Sequence, residues 1–180
     1  MTTKKLHKHD ESWYYHLSKI KWDFFLSIRY KRARHYGTSS QSHSQRKNAI
    51  WKLFQDTRKE LQLPRNAIQW FVSTEHNEIE GYHNHILVKS REDVPFGKQE
   101  ILETIFKNLP KDLVEDTKIK EGDILPKSFQ IVENSQRVVS YVLKTPEGEE
   151  RVTGIKEKEF FSEKFVRLCQ KMKIEGRTAW

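Results

Sequence analysis

The chain has 180 residues, with 33 Lys and Arg against 25 Asp and Glu, and its formal net charge is +8. This length suits one domain with a core of its own, and the charge favours a polyanionic partner, most often nucleic acid. The single cysteine excludes a disulfide framework, and without a long apolar run or a signal-peptide core we expect a cytoplasmic protein with no membrane partner.

The N-terminal third of the chain is predicted to hold one strand and one helix. Residues 1–20 are rich in Lys and His and are predicted as a tail that leads into a short element. Residues 22–30 are aromatic and branched, which predicts a strand. The basic segment 31–42 has no hydrophobic periodicity and is predicted as a loop. A helix with one apolar stripe follows and runs to about Leu61.

Two apolar, β-branched runs then flank a short polar turn that contains Gly81. This pattern predicts a β-hairpin, with one strand at about 68–75 and the other at about 82–89.

Two more helices and a strand are predicted after the hairpin. Gly97 precedes a helix with one apolar side. Alternation over 128–132 predicts a strand, and Asn134 is predicted to cap the helix that carries Tyr141. A charged amphipathic helix is predicted at 156–173.

The element order β, α, β, β, α, β, α indicates an α+β fold. We expect a central antiparallel β-sheet with helices packed on one face. The predicted division is a tail at 1–20, one domain at 21–146, and a C-terminal extension with an amphipathic helix at 147–180.

The hairpin carries a candidate metal site. Side chains alternate along a strand, so His83 and His85 project from the same face. If the hairpin folds symmetrically about Ile79, Glu75 lies opposite His83. Two imidazoles and a carboxylate suit a divalent metal with open positions, Mn²⁺ or Mg²⁺ in phosphate chemistry, although they also accept Zn²⁺. A one-residue slip would replace Glu75 by His76, so the third ligand stays open. The alternative is a polar sheet face with two ordinary histidines.

A candidate nucleophile lies further along the chain. Tyr141 and Lys144 are three residues apart, which places a phenol and an ammonium on one helix face. A phenol attacks poorly at neutral pH unless cations stabilise the phenolate, and Lys144 can supply that charge. Because Val138 and Val142 are apolar, a core position for Tyr141 is the alternative.

Basic side chains cluster at the end of the first predicted strand. They are Arg29, Lys31, Arg32 and Arg34. Contacts with backbone phosphates are one interpretation, and a solvated loop is equally consistent with the pattern.

Three motifs, in this order, resemble those of the HUH endonucleases, in particular the single-tyrosine initiators of rolling-circle replication. Residues 24–28 resemble the first, hydrophobic motif, 82–88 the histidine motif with Glu75 as its preceding acidic ligand, and 140–144 the tyrosine motif Y-x-x-K. Asn84 departs from the pattern, because the family usually has a hydrophobic residue between the histidines.

The resemblance implies a HUH/Rep-type nuclease domain with a ferredoxin-like or RRM-like sheet. It further implies metal-dependent nicking and rejoining of single-stranded or hairpin origin DNA, with Tyr141 forming a 5′-phosphotyrosine link, and a host helicase and polymerase as further partners. The alternatives are a single-tyrosine transposase of a small insertion sequence and a non-catalytic DNA-binding regulator. A metal phosphoesterase acting on RNA or nucleotides ranks lower, since the chain lacks the paired His-x-Thr/Ser motifs of the two-histidine phosphodiesterases.

Overall fold

The computed structural model describes residues 8–31, 43–77, 81–112, 114, 115, 119, 121, 123–143 and 151–153. Its helices are α1 (Lys8–Leu17), α2 (His43–Glu60), α3 (Lys98–Lys107) and α4 (Ser135–Val142). Its strands are β1 (Phe24–Arg29), β2 (Ile68–Asn77), β3 (Gly81–Ser90), β4 (Phe129–Ile131) and β5 (Arg151–Thr153). The fold is α+β, as predicted.

The strands form one antiparallel sheet in the order β4-β1-β3-β2-β5. The predicted hairpin is β2–β3, and its register pairs Asn77 with Gly81 and Glu75 with His83, which is the symmetry about Ile79 that the sequence predicts. The strand β5 was not predicted. It lies in the segment 147–180 and pairs with β2, with Val72 opposite Val152. Three residues are too few to show a period-2 pattern.

The sheet has apolar side chains on both faces, and a pair of helices covers each face. On the α2–α3 face, alternate strand residues such as Leu26, Trp70 and Ile86 are buried in one core cluster. On the α1–α4 face, Phe71 and Leu87 are buried in a second cluster. The prediction that the helices pack on one face is therefore wrong. Both faces of the central strands carry apolar residues, and burying both faces requires two layers of helices.

The segment predicted as an N-terminal tail contains α1, and part of it belongs to the second cluster. Trp13 and Leu17 of α1 are buried there with Trp22, and the Trp22 indole Nε1 donates to the Leu17 carbonyl at 2.9 Å. Trp13 and Leu17 are thus core residues that cover the sheet, whereas Tyr15 of the same helix is exposed.

Some predicted features lie outside the described residues. These are most of the loop at 31–42 and the amphipathic helix at 156–173. Among the described helices, none has the length and apolar character needed to cross a bilayer.

Candidate functional site

Side chains on the α1–α4 face form three rows across β1, β3 and β2, set by the strand register and by the alternation of side chains. The first row is Phe25, Leu87 and Phe71; the second is Ser27, His85 and Ser73; the third is Arg29, His83 and Glu75. The first row packs under α1 and α4. The other two place both histidines, the carboxylate and the exposed Arg29 on one surface toward the hairpin turn.

The two histidines converge on a single carboxylate oxygen. His83 Nε2 lies 3.0 Å from Glu75 Oε2, and His85 Nε2 lies 3.1 Å from the same atom. Both imidazoles are buried, whereas the Glu75 side chain is about one-third exposed. One ligand atom from each of the three residues lies within 4.8 Å of the others. The three donors are therefore held together on paired strands, open to solvent on the carboxylate side.

This donor set fits a divalent cation. Two imidazole nitrogens and a carboxylate oxygen suit Mn²⁺ or Zn²⁺ and leave coordination positions for water or substrate. The buried Nδ1 atom of His83 has no hydrogen-bond partner among the described residues, and it is the Nε2 atom that points at the carboxylate. The register pairs Glu75 with His83 and His76 with Tyr82, so it is Glu75 that the fold brings to the histidines.

The same contacts set the charge of the carboxylate. Burial raises the pKa of Glu75, but the hydrogen bond with His85 and the charge and hydrogen bond of His83 outweigh it. The pKa of Glu75 therefore lies below its ordinary value, and the carboxylate is ionised at neutral pH, as a metal ligand must be.

Tyr141 lies beside this cluster. Asn134 caps α4 by accepting a hydrogen bond from the Arg137 backbone N–H at 3.0 Å, as the sequence predicts. Val139 and Val142 bury the opposite side of the helix. Tyr141 itself is 49% exposed, so it is not a core residue. Its ring centroid lies 5.1 Å from that of His85.

Phe25 contacts both Tyr141 and His85, and it was not predicted from the sequence to be part of the site. Its ring stacks on His85 at 5.9 Å with an interplanar angle of 19° and contacts Tyr141 edge-on at 5.7 Å. The available signal was strand parity, since Phe25, Ser27 and Arg29 share one face of β1. Placing Phe25 beside His85 also requires the β1–β3 register, which the sequence does not reveal.

A cleft of about 1050 Å³ adjoins Tyr141 on the side of the sheet edge formed by β4. Its lining includes Phe25, Gln130, Asn134, Arg137 and Tyr141. The cleft thus combines aromatic surface with hydrogen-bonding side chains.

The structure does not describe every predicted site residue. Lys144, Arg32 and Arg34 lie outside the described residues. Lys31 is described, and its ammonium donates to the Lys111 carbonyl. Of the two predicted phosphate-binding residues that the structure describes, Arg29 and Lys31, it is Arg29 that the register places in a row with His83 and Glu75.

No family model and no curated protein sequence matches the chain. A solved structure to which it is similar is the N-terminal nuclease domain of non-structural protein-1 from minute virus of mice. The TM-score is 0.40 and the identity 11%, over 92% of this chain and 99% of that one. The viral domain coordinates Zn²⁺ in its active-site pocket and recognises DNA at the origin of replication. A likeness at this level says nothing about the chemistry of this chain.

Proposed function

We propose that this protein nicks and rejoins single-stranded DNA by metal-dependent tyrosine transesterification, and that it does so at a replication origin. The observation that supports this most directly is the position of Tyr141, an exposed phenol whose ring lies 5.1 Å from that of His85. His85 in turn shares one carboxylate with His83.

In this proposal the metal ligands are His83, His85 and Glu75, with Mn²⁺ or Mg²⁺ as the ion. When bound, a divalent ion polarises the scissile phosphate and neutralises part of its charge. The protein contributes strand geometry: the two imidazole nitrogens and the carboxylate oxygen project from neighbouring strands in a fixed register. Pre-positioned donors of this kind lower the cost of ordering the site when substrate binds.

Tyr141 is the proposed nucleophile. Its phenolic oxygen attacks the phosphorus atom, the bond from phosphorus to the 3′-oxygen breaks, and a 5′-phosphotyrosine link forms. The phenol loses its proton and the departing 3′-oxygen gains one. Because one phosphate ester bond forms as another breaks, the exchange needs no ATP and reverses when a 3′-hydroxyl attacks the link. Lys144, three residues after Tyr141 in the sequence, is proposed to stabilise the developing negative charge.

DNA is proposed to cross the α1–α4 face near the hairpin turn. Arg29, exposed and in the row of His83 and Glu75, would contact a backbone phosphate, and Lys31, Arg32 and Arg34 are proposed to extend that contact. The cleft beside Tyr141 has the volume and the mixed aromatic and polar lining to hold unpaired bases. A host helicase and polymerase are proposed as further partners, because a nicked origin must be opened and its 3′-hydroxyl primes synthesis.

Covalent capture of DNA tests this proposal. The protein is incubated with Mn²⁺ and a pool of randomised, labelled single-stranded oligonucleotides, and adducts that survive denaturing electrophoresis are counted. Wild-type protein is expected to form an adduct and Tyr141→Phe none. Tyr15→Phe is the matched control, since Tyr15 is also an exposed tyrosine (58%) but lies on α1, where its ring contacts His16 edge-on. Adduct formation by Tyr141→Phe would overturn the assignment.

Sequencing the captured strands distinguishes an initiator from a transposase. Adducts at one hairpin-associated sequence, followed by rejoining of the same strand, are expected for an initiator. Transfer of the captured strand to a different DNA end would indicate the transposase alternative. No adduct from any sequence, with DNA binding retained, would indicate a non-catalytic regulator.

A further inference from the structure

Asn84 lies between the two histidines in sequence but on the opposite face of the sheet. It is 2% exposed and lies on the α2–α3 face beside the apolar cluster, where its Cα partner on β1 is Ile28. Burying an amide among apolar side chains costs free energy unless the amide is hydrogen-bonded. The amide of Asn84 must therefore have hydrogen-bond partners that offset the cost of its burial.

The amide is hydrogen-bonded on both sides. Thr74 on β2 donates its hydroxyl to Asn84 Oδ1 at 2.8 Å, and Asn84 Nδ2 donates to the Tyr30 hydroxyl, just beyond β1, at 2.7 Å. Thr74 is 5% exposed and Tyr30 is fully buried. We call this chain of three residues the polar bridge. It links the three central strands directly behind the metal cluster.

The polar bridge distinguishes registers that apolar packing does not. On the α2–α3 face β1 presents Phe24, Leu26 and Ile28, and β2 presents Ile68, Trp70 and Val72. A shift of either strand by two residues keeps the apolar side chains on this face. The same shift separates Thr74 or Tyr30 from Asn84 and leaves buried polar groups without partners. It also moves Glu75 or Arg29 out of the row of His83.

We propose that Asn84 is a positioning residue for the metal ligands: through Thr74 and Tyr30 it fixes the strand register that brings Glu75 against His83 and His85. The proposal rests on the proposed metal site and explains why a polar residue occupies a position that is usually hydrophobic in the motif. Asn84 touches neither substrate nor metal. It acts through the backbone of β3, where its neighbours are the two histidines.

Mn²⁺ titration by calorimetry tests the proposal, with thermal unfolding of the same samples. Asn84→Leu is expected to weaken Mn²⁺ binding by about tenfold or more, in the range measured when groups supporting metal ligands are removed. Thr74→Val is expected to change affinity in the same direction. Thr57→Val is the matched control, because Thr57 is also a buried threonine with one 2.8 Å hydrogen bond, but within α2. It should leave the affinity unchanged.

A triple variant separates positioning from stability. Tyr30→Phe, Thr74→Val and Asn84→Leu together make the bridge apolar, which restores much of the stability lost in Asn84→Leu because no buried polar group lacks a partner. If the bridge positions the ligands, the triple variant still binds Mn²⁺ at least about tenfold more weakly than wild type. If affinity returns with stability, the role is merely structural and the proposal is overturned.

A second readout keeps this test independent of the proposed function. If wild-type protein binds no Mn²⁺, the metal site itself is overturned. Amide hydrogen exchange of β1 and β3, measured without metal, then still tests whether the polar bridge fixes the strand register. Exchange about tenfold faster in the triple variant than in Thr57→Val supports the bridge, and equal exchange overturns it.

Discussion

At the residue scale, the candidate site depends on one carboxylate shared by two buried imidazoles. Glu75→Gln keeps the shape of the side chain but removes the charge, so Mn²⁺ affinity should fall by more than about 100-fold, beyond the loss caused by supporting groups. Calorimetric titration measures this. Glu92→Gln is the control, since Glu92 is exposed and lies outside the cluster. Equal affinity in both variants would rule out Glu75 as a ligand.

Phe25 provides a second prediction at this scale. Its ring contacts those of His85 and Tyr141, which also contact each other, so Phe25→Leu loses ring contacts worth about 1 kcal/mol and leaves Tyr141 less fixed. Single-turnover adduct formation should slow by about fivefold to tenfold, with Mn²⁺ affinity within about threefold of wild type, because no donor atom changes.

Phe106→Leu is the matched control for this variant. Phe106 is also half-buried and packs edge-on against an aromatic ring, that of Phe129, at 5.2 Å, but it lies on the α2–α3 face. Adduct formation that slows equally in both variants would point to a general loss of stability.

These residues also mark how far sequence reasoning reaches. His83 and His85 were predicted from strand parity, and Glu75 on the assumption of a hairpin symmetric about Ile79, with His76 left open as the third ligand. The observed register agrees with Glu75. Phe25 was not predicted, because its contact with His85 depends on pairing between strands far apart in sequence. Tyr141 was identified by spacing and by a motif, whereas its approach to His85 depends on how α4 packs on the sheet.

At the element scale, a buried aspartate at the start of β1 connects three elements. Asp23 is 4% exposed; its carboxylate accepts from the Ser90 backbone N–H at 2.9 Å and lies 2.8 Å from Lys98 Nζ and 3.3 Å from Lys89 Nζ. Burial raises the pKa of Asp23, but the lysines and the Ser90 N–H outweigh it, so the pKa lies below its ordinary value.

This lowered pKa predicts a pH dependence of stability. The contribution of Asp23 is fully present above the ordinary aspartate pKa and is lost as pH falls below it toward the folded-state pKa. Asp23→Asn should lower the free energy of unfolding at pH 7 by about 2–3 kcal/mol and flatten the acid side of its pH profile, measured by urea unfolding. Asp93→Asn, which removes an exposed pair with Arg91, should cost little; similar losses would contradict the argument.

Element prediction was weakest where an element depends on partners distant in sequence. The aromatic residues before β1 look like part of a basic tail in sequence, and they form a helix because Trp13 and Leu17 can be buried against the sheet. Likewise β5 has only three residues and exists through pairing with β2. Longer periodic elements such as α3 and the hairpin needed no such partner to be recognised.

At the scale of the whole molecule, one face of the sheet forms a packed core and the other carries the candidate site. The α2–α3 face is a packed core that includes the polar bridge, while the α1–α4 face carries the two buried histidines together with the partly exposed Glu75 and the exposed Arg29. Because one strand supplies both faces, a change behind β3 reaches the site through the backbone. The net positive charge can be counted from the sequence, but the position of Arg29 beside His83 follows from the strand register.

That placement leads to a prediction about DNA affinity and salt. Binding of oligothymidine is measured in Tyr141→Phe protein, which avoids cleavage, over a series of salt concentrations. Each phosphate contact contributes about −0.7 to the slope of log affinity against log salt for single strands. Arg29→Ala should therefore weaken binding and reduce the slope by about 0.7. Arg65→Ala removes an equal charge from an exposed position before β2, at the other end of the strand from Glu75, and should leave the slope unchanged. If the salt slope falls equally in both variants, DNA binding depends on the overall charge of the protein, and a path across the α1–α4 face is excluded.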